Sequence, residues 1–115
     1  MNSPWPRSRN AWLLPEMSRK ITISFAASAL GDLEEILAYY KEQAVPHVGQ
    51  GLVGGILADI ELLASQPKMG RIVPEFELDL LRELVRPPFR IVYRCDLNRI
   101  RIVRVWRSER LLVLP

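Results

Sequence analysis

Cysteine and histidine are almost missing from this chain, and each shortage excludes something. A single cysteine, Cys95, leaves no internal disulfide and fits a reducing compartment. A single histidine, His47, has no second histidine and no cysteine near it in sequence, so no metal and no cofactor are expected. Cys95 falls on the apolar side of an alternating run and reads as a small core residue, not a reactive thiol. Long apolar runs are missing as well. The longest in the first 16 residues spans positions 11–14, far short of a signal peptide's hydrophobic region or a membrane span. A cytoplasmic protein with no membrane partner is the expectation. No repeat or low-complexity tract occurs, and Gly49-Gln50-Gly51 lacks the preceding strand and the further glycines of a phosphate-cradling loop.

What the chain does have is arginine, concentrated in one place. Residues 80–110 hold nine arginines (82, 86, 90, 94, 99, 101, 104, 107, 110) against three acids (Glu83, Asp96, Glu109), a local charge of 9 − 3 = +6. Residues 31–80 hold three bases and nine acids, a local charge of 3 − 9 = −6. The molecule is electrically polar, and its basic end suits nucleic acid or an acidic protein partner. The arginines are interleaved with apolar residues: Phe89, Ile91, Tyr93 and Cys95 alternate with Arg90, Val92 and Arg94. Period two marks a strand with one buried face. Residues 81–86 and 98–107 read the same way, with Pro87-Pro88 and Asp96-Leu97-Asn98 as turns. The segment is expected to be a three-stranded antiparallel meander. Most of its arginines are expected to be exposed or paired with Glu83, Glu109 or the acidic helices.

A chain of 115 residues, about half of them apolar, builds one domain with one modest core. Residues 1–16 carry three prolines and little pattern, and read as a poorly ordered extension. The single domain then spans 17–115, and Met17 is a candidate natural start. The functional alternative for the extension is an arm that packs Trp5 and Trp12 on a partner. Residues 20–25 alternate as a half-buried strand. Ser28 is the expected N-cap of a first helix running to about Gln43. Its acids Asp32, Glu34 and Glu35 suit the positive end of the helix dipole, and its apolar face is Leu30, Leu33, Leu37 and Tyr40. Pro46 opens a second helix with the stripe Val48, Leu52, Ile56, Ile60 and Leu63, ended by Pro67. Four glycines (49, 51, 54, 55) interrupt it, and are expected to allow close approach to the first helix. The two helices form an antiparallel hairpin, and residues 68–71 are a turn.

Strand, helix hairpin and arginine-rich meander, in that order, resemble the RelE/ParE superfamily of bacterial type II toxins. The likeness covers about residues 21 to 112. It rests on Ala29, Asp32-Leu33, Ile36 and Tyr40, then Leu63 to Pro67, Gly70-Arg71 and Arg82-Glu83-Leu84. It rests most on Pro88-Phe89-Arg90-Ile91-Val92-Tyr93-Arg94 and Val105-Trp106-Arg107-Ser108-Glu109-Arg110. The resemblance implies an α+β fold: a small twisted antiparallel sheet packed against the N-terminal helical hairpin. It also implies a growth-arresting toxin neutralised by a cognate antitoxin, in a toxin–antitoxin hetero-oligomer.

The superfamily divides by target. RelE-like members cut messenger RNA in the ribosome, whereas ParE-like members inhibit DNA gyrase and are not nucleases. Cleavage by the 2′-hydroxyl needs a base, cations for the phosphate and an acid for the leaving oxygen. RelE-like members draw these from lysines on the strand before the Pro-Pro turn, an arginine at the Arg90 position, and an arginine and a tyrosine after the last strand. Arg90 is matched. The earlier strand offers Arg82 and Arg86 but no lysine, Ser108 follows Arg107, and no tyrosine lies in the tail. Tyr93 falls on the apolar alternation, and an arginine stays protonated near neutral pH and is a poor base. The ParE-like reading, inhibition of DNA gyrase by protein contact, is therefore favoured. The alternative is a RelE-like ribosome-dependent endoribonuclease using Arg90, Arg107 and Arg110. A plain nucleic-acid or partner-binding module is the third possibility. Target contact is assigned to Arg82, Arg86, Arg90, Arg107 and Arg110. Antitoxin contact is assigned to Trp106 and the apolar tail Leu111, Leu112, Val113 and Leu114.

Overall fold

A computed structural model describes residues 21–107. The expected extension 1–16 with Trp5 and Trp12, the start at Met17, Ser108, Arg110 and the tail Leu111, Leu112, Val113 and Leu114 lie outside the described residues. The elements are β1 (Thr22–Phe25), α1 (Ala27–Glu42), α2 (Pro46–Leu62), β2 (Arg71–Ile72), β3 (Leu81–Arg86), β4 (Phe89–Asp96) and β5 (Arg99–Arg107). The helix hairpin covers one face of a five-stranded sheet of order β1-β5-β4-β3-β2.

The meander β3-β4-β5 is antiparallel, as its alternation and short turns require. The sheet as a whole is mixed, which corrects the expectation of an antiparallel one: β1 pairs parallel with β5. The helix hairpin and the strands β2, β3 and β4 all lie between β1 and β5 in sequence, a connection long enough for parallel pairing, whereas the short turns of the meander allow only antiparallel neighbours. The edge strand β2, two residues paired with β3, begins at Arg71, the last residue of the stretch read as a turn.

Phe89, Ile91, Tyr93 and Cys95 face the helices with Ile100, Ile102 and Val105, and pack on Ala29, Leu33, Ile36, Ile56, Ile60 and Leu63. Cys95 and Tyr93 are core residues, as the alternation implies. A second, smaller cluster of Val73, Leu81 and Val92 with Trp106 lies on the opposite face. Strict period two does not hold along β5. Tyr93 pairs with Ile102 and Val92 with Arg104, so Val103 is an inserted residue. This bulge sets Val105 and Arg107 in register with Ile91 and Phe89, on the side of the helices, while Trp106 packs on the opposite face.

Two expectations for α1 fail. Ser28 is not the N-cap. That position is Ala26, which offers no side-chain cap, and Ser28 Oγ instead donates to the carbonyl of Val103 at 2.8 Å, across to β5. The buried face is Ala29, Asp32, Leu33 and Ile36, while Leu30 and Leu37 are exposed. The helix is rotated because Asp32 is wanted inside: it is a buried ligand of β5, and the first turn holds no acid for the dipole.

In α2, Pro46 stands in the first turn as expected. Ile56, Ile60 and Leu63 are buried, Leu52 is half-buried, and Val48 is exposed. Gly49 does allow close approach: a Cβ there would sit 3.0 Å from Tyr40 Cβ. Gly51 and Gly54 meet nothing, and the guanidinium of Arg86 lies over Gly55.

Gly70 is the tighter constraint. Its N–H donates to Tyr93 Oη at 3.0 Å, and an added Cβ would lie 2.6 Å from the Glu83 carbonyl oxygen and 2.7 Å from Tyr93 Oη. Backbone on one side and a buried ring on the other leave little room to give. Gly70→Ala is expected to cost about 1–3 kcal/mol, the range for overpacking. A denaturation midpoint unchanged from the parent would show that the loop moves aside freely.

Candidate functional site

The register gathers four of the five expected contact residues that are described at one end of the sheet. Phe89 pairs with Arg86 on one side and Arg107 on the other, and Arg90 pairs with Val85 and Trp106. Arg86, Arg90, Trp106 and Arg107 thus surround the β3–β4 turn, where a cis peptide joins Pro87 to Pro88. Arg82, opposite Tyr93, stands apart from this group.

Each arginine is held differently. Arg90 is buried, and two carboxylates close around it. Its Nε donates to Glu83 Oε1 at 2.6 Å, and Nη1 and Nη2 donate to Glu75 Oε2 and Oε1 at 2.8 and 2.7 Å. Glu83, fully buried, also accepts from Arg71 Nε at 2.6 Å. Arg82 donates to Asp79 and to the Gly70 carbonyl, and Arg86 to Asp59 on α2 at 2.9 Å. Arg107 lies 5.8 Å from the Phe89 ring centre. Arg104 makes a forked pair with Asp32 at 2.8 Å in both arms and stacks 4.1 Å over Trp106. The expected pairing with Glu83 and the acidic helices holds through Glu83, Asp32 and Asp59. Glu109 lies outside the described residues.

The hydrogen bonds set the charge states. The forked bond from Arg90 pulls the Glu75 carboxyl down to about 2, against desolvation that opposes it. The same bond raises the Arg90 guanidinium above its ordinary value, and the Asp32 pair does so for Arg104. Burial pushes the Tyr93 hydroxyl up. That hydroxyl is also committed: it donates to the Pro67 carbonyl at 2.8 Å and accepts from Gly70.

The Glu75 pair has a pH signature. The carboxyl is depressed in the folded chain, so it adds stability above its ordinary value of 4.5, and that stability is lost as pH falls toward about 2. Acid titration of the melting temperature should show a falling arm in this window, and Glu75→Gln should flatten it. An identical arm in the variant would assign the loss to another carboxylate.

Between α1 and the end of β5 runs a groove of about 570 Å³, lined by Asp32, Glu35, Tyr39, Arg104, Trp106 and Arg107 among others. Here β5 extends past the reach of β1, which pairs only as far as Ile102. Trp106 Nε1 is buried without a hydrogen-bond partner among the described residues. No group of three or more metal-ligating side chains occurs among them, and no helix is long and apolar enough to cross a membrane.

Sequence reasoning missed Glu75, whose irregular loop carries no period. It also gave no special place to Arg94, Arg99 and Arg101, although period two already sets Arg94 opposite the core.

Over residues 23–112 the chain matches the family described as ParE toxin of type II toxin–antitoxin system, parDE. The chain belongs to this ParE toxin family, within the RelE/ParE superfamily. Its fold is similar to the chromosomal ParDE toxin–antitoxin system from P. aeruginosa, with 25% identity and a TM-score of 0.62, over 76% of this chain and 95% of that one. It is also similar in fold to the toxin–antitoxin complex RelBE2 from Mycobacterium tuberculosis, with 23% identity and a TM-score of 0.52, over 77% of this chain and 99% of that one. No individual curated protein matches the sequence.

Proposed function

We propose that this protein arrests growth by inhibiting DNA gyrase through protein contact, and that a cognate antitoxin neutralises it. The observation that carries the choice of target is the state of the groups a nuclease would need. Arg90, at the position where RelE-like members place a phosphate-binding arginine, is closed off by Glu75 and Glu83. Tyr93 is buried with its hydroxyl committed on both sides, and β3 offers no lysine. Proton transfer to and from RNA is left without a described donor or base. A protein contact needs neither. Arg107 and Arg86 at the turn end of the sheet are the target-facing residues in this reading, with Arg82 and Arg90 supporting the surface. Arg110 completes the set assigned from sequence.

The antitoxin is assigned to the groove beside Trp106. It offers apolar side chains such as Ile36 and Phe89, the Glu35 carboxylate on α1, and the end of β5 that β1 does not reach. A helix or strand laid there buries what the toxin exposes.

Purified toxin is expected to block gyrase supercoiling, with activity restored by added antitoxin, while messenger RNA on the ribosome stays intact. Arg107→Ala should weaken inhibition by about 1–3 kcal/mol if it is a buried anchor, roughly 5- to 150-fold in the inhibiting concentration. Codon-dependent cuts in ribosome-bound messenger RNA would sink the gyrase reading in favour of the endoribonuclease.

A further inference from the structure

We propose that Arg94, Arg99 and Arg101, with Leu97 at the tip of the β4–β5 turn, form a docking surface for the backbone and groove of duplex DNA. Arg107 aside, the arginines of the described residues fall into two sets. Arg71, Arg82, Arg86, Arg90 and Arg104 each have a carboxylate partner. Arg94, Arg99 and Arg101 are exposed, and no carboxylate pairs with them among the described residues. All three lie at one corner of the sheet, on the face turned away from the helices.

Their arrangement costs the fold something. Arg94 and Arg101 are direct register partners across β4 and β5, and like charges so placed destabilise a sheet. Among the described residues nothing offsets it: Asp96 faces Arg99 in register without an ion pair, and the hydrogen bond of Arg101 goes to Ser24 Oγ at 3.5 Å. A phosphate between the two guanidiniums would convert that repulsion into two charge-assisted hydrogen bonds. Thr22 and Ser24, exposed on β1 beside Arg99 and Arg101, add hydroxyl donors of the kind that bind phosphate oxygens.

The tip selects duplex DNA among polyanions. Leu97 is 86% exposed and held at φ 52°, a backbone conformation unusual for leucine. An apolar side chain flanked by arginines is the pattern of proteins that press a wedge into a minor groove while gripping the phosphates on either side. Among the described residues no aromatic side chain stands on this corner, so a single strand would find no stacking platform there. A protein partner would want a core depleted of charge, and this patch is mostly charge.

The proposal is independent of the gyrase reading, and its test uses no gyrase. The purified full-length chain is titrated against a short labelled DNA duplex by fluorescence anisotropy at several salt concentrations. Three phosphate contacts predict a log–log salt slope of roughly −2.7, about a 40-fold loss of affinity between 50 and 200 mM salt. Arg94→Gln with Arg101→Gln should reduce the slope by roughly 1.8. Lys41→Gln with Lys68→Gln removes the same charge elsewhere and should leave the slope alone. Leu97→Ser should weaken duplex binding several-fold with the slope unchanged. The arginine double variant should melt no lower than the parent, since it relieves a like-charge pair. Equal effects from the lysine and arginine variants, no binding at about 50 mM salt, or tighter binding of an acidic peptide or a single-stranded RNA than of the duplex would each overturn the proposal.

Discussion

Glu83→Ala is expected to destabilise the fold by about 3–5 kcal/mol, the range for removing one partner of a buried ion pair. Glu83 is fully buried, and each of its oxygens accepts a 2.6 Å hydrogen bond, one from Arg90 and one from Arg71. The consequences for the two arginines differ. Arg71 is largely exposed on the edge strand and returns to water at little cost. Arg90 is buried and loses the partner of its Nε, keeping only Glu75. The melting midpoint should fall by about 10 °C or more. The cause can be separated from the size of the hole. Glu83→Met together with Arg90→Met removes both charges and keeps the volume, and should recover most of the loss. A double variant as unstable as Glu83→Ala would mean that shape, not stranded charge, sets the cost.

Asp32→Ala has the second largest expected effect, also about 3–5 kcal/mol. One carboxylate accepts three hydrogen bonds from β5: two from the Arg104 guanidinium and one from the Val105 N–H at 2.9 Å. The Val105 N–H is a buried donor, and among the described residues no strand takes it, since β1 pairs only as far as Ile102. Asp32 stands in for that missing strand and ties α1 to the part of β5 that β1 does not reach. Asp32→Asn keeps one acceptor and should recover part of the loss. Amide exchange at Val105 should accelerate in Asp32→Ala more than exchange at Ile102, which remains beside β1. Uniform acceleration along β5 would show that Asp32 acts only through global stability.

The sheet was legible wherever apolar and charged residues alternate between short turns. That is why β3, β4 and β5 lie within a residue or two of their expected spans. Pro46 likewise marked the start of α2. Three features were hidden for physical reasons. The partner of β1 is a tertiary choice, and its alternation does not say which strand it joins. The rotation of α1 was misread because leucines at 30, 33 and 37 outvoted Asp32, and a hydropathy pattern assigns a carboxylate to water even when a forked arginine waits inside. The Val103 bulge did leave a trace: apolar spacing runs 100, 102, then 105 in place of 104. Within the candidate site, the sequence told how many arginines there are and which face of a strand each takes. Which of them meet a carboxylate depends on Glu75 in an irregular loop and on Asp32 and Asp59 from the helices, and no local pattern carries that information.

The parallel pairing of β1 with β5 sets an order of events during synthesis. Ser24 and Arg101 are partners separated by 77 positions. β1 is made before every other described element and has no strand to join until β5 has been made. β5 supplies the missing neighbour for both β1 and β4, so the five-stranded sheet closes only when β5 has been made. A chain that stops before Arg99 has the helix hairpin and two open strand edges, but neither Trp106 nor Arg107. Such a fragment is exposed to proteases and to edge pairing with other chains, and lacks the surface assigned to the target. For a member of a toxin family, the surface proposed to meet the target therefore assembles only once β5 has been made.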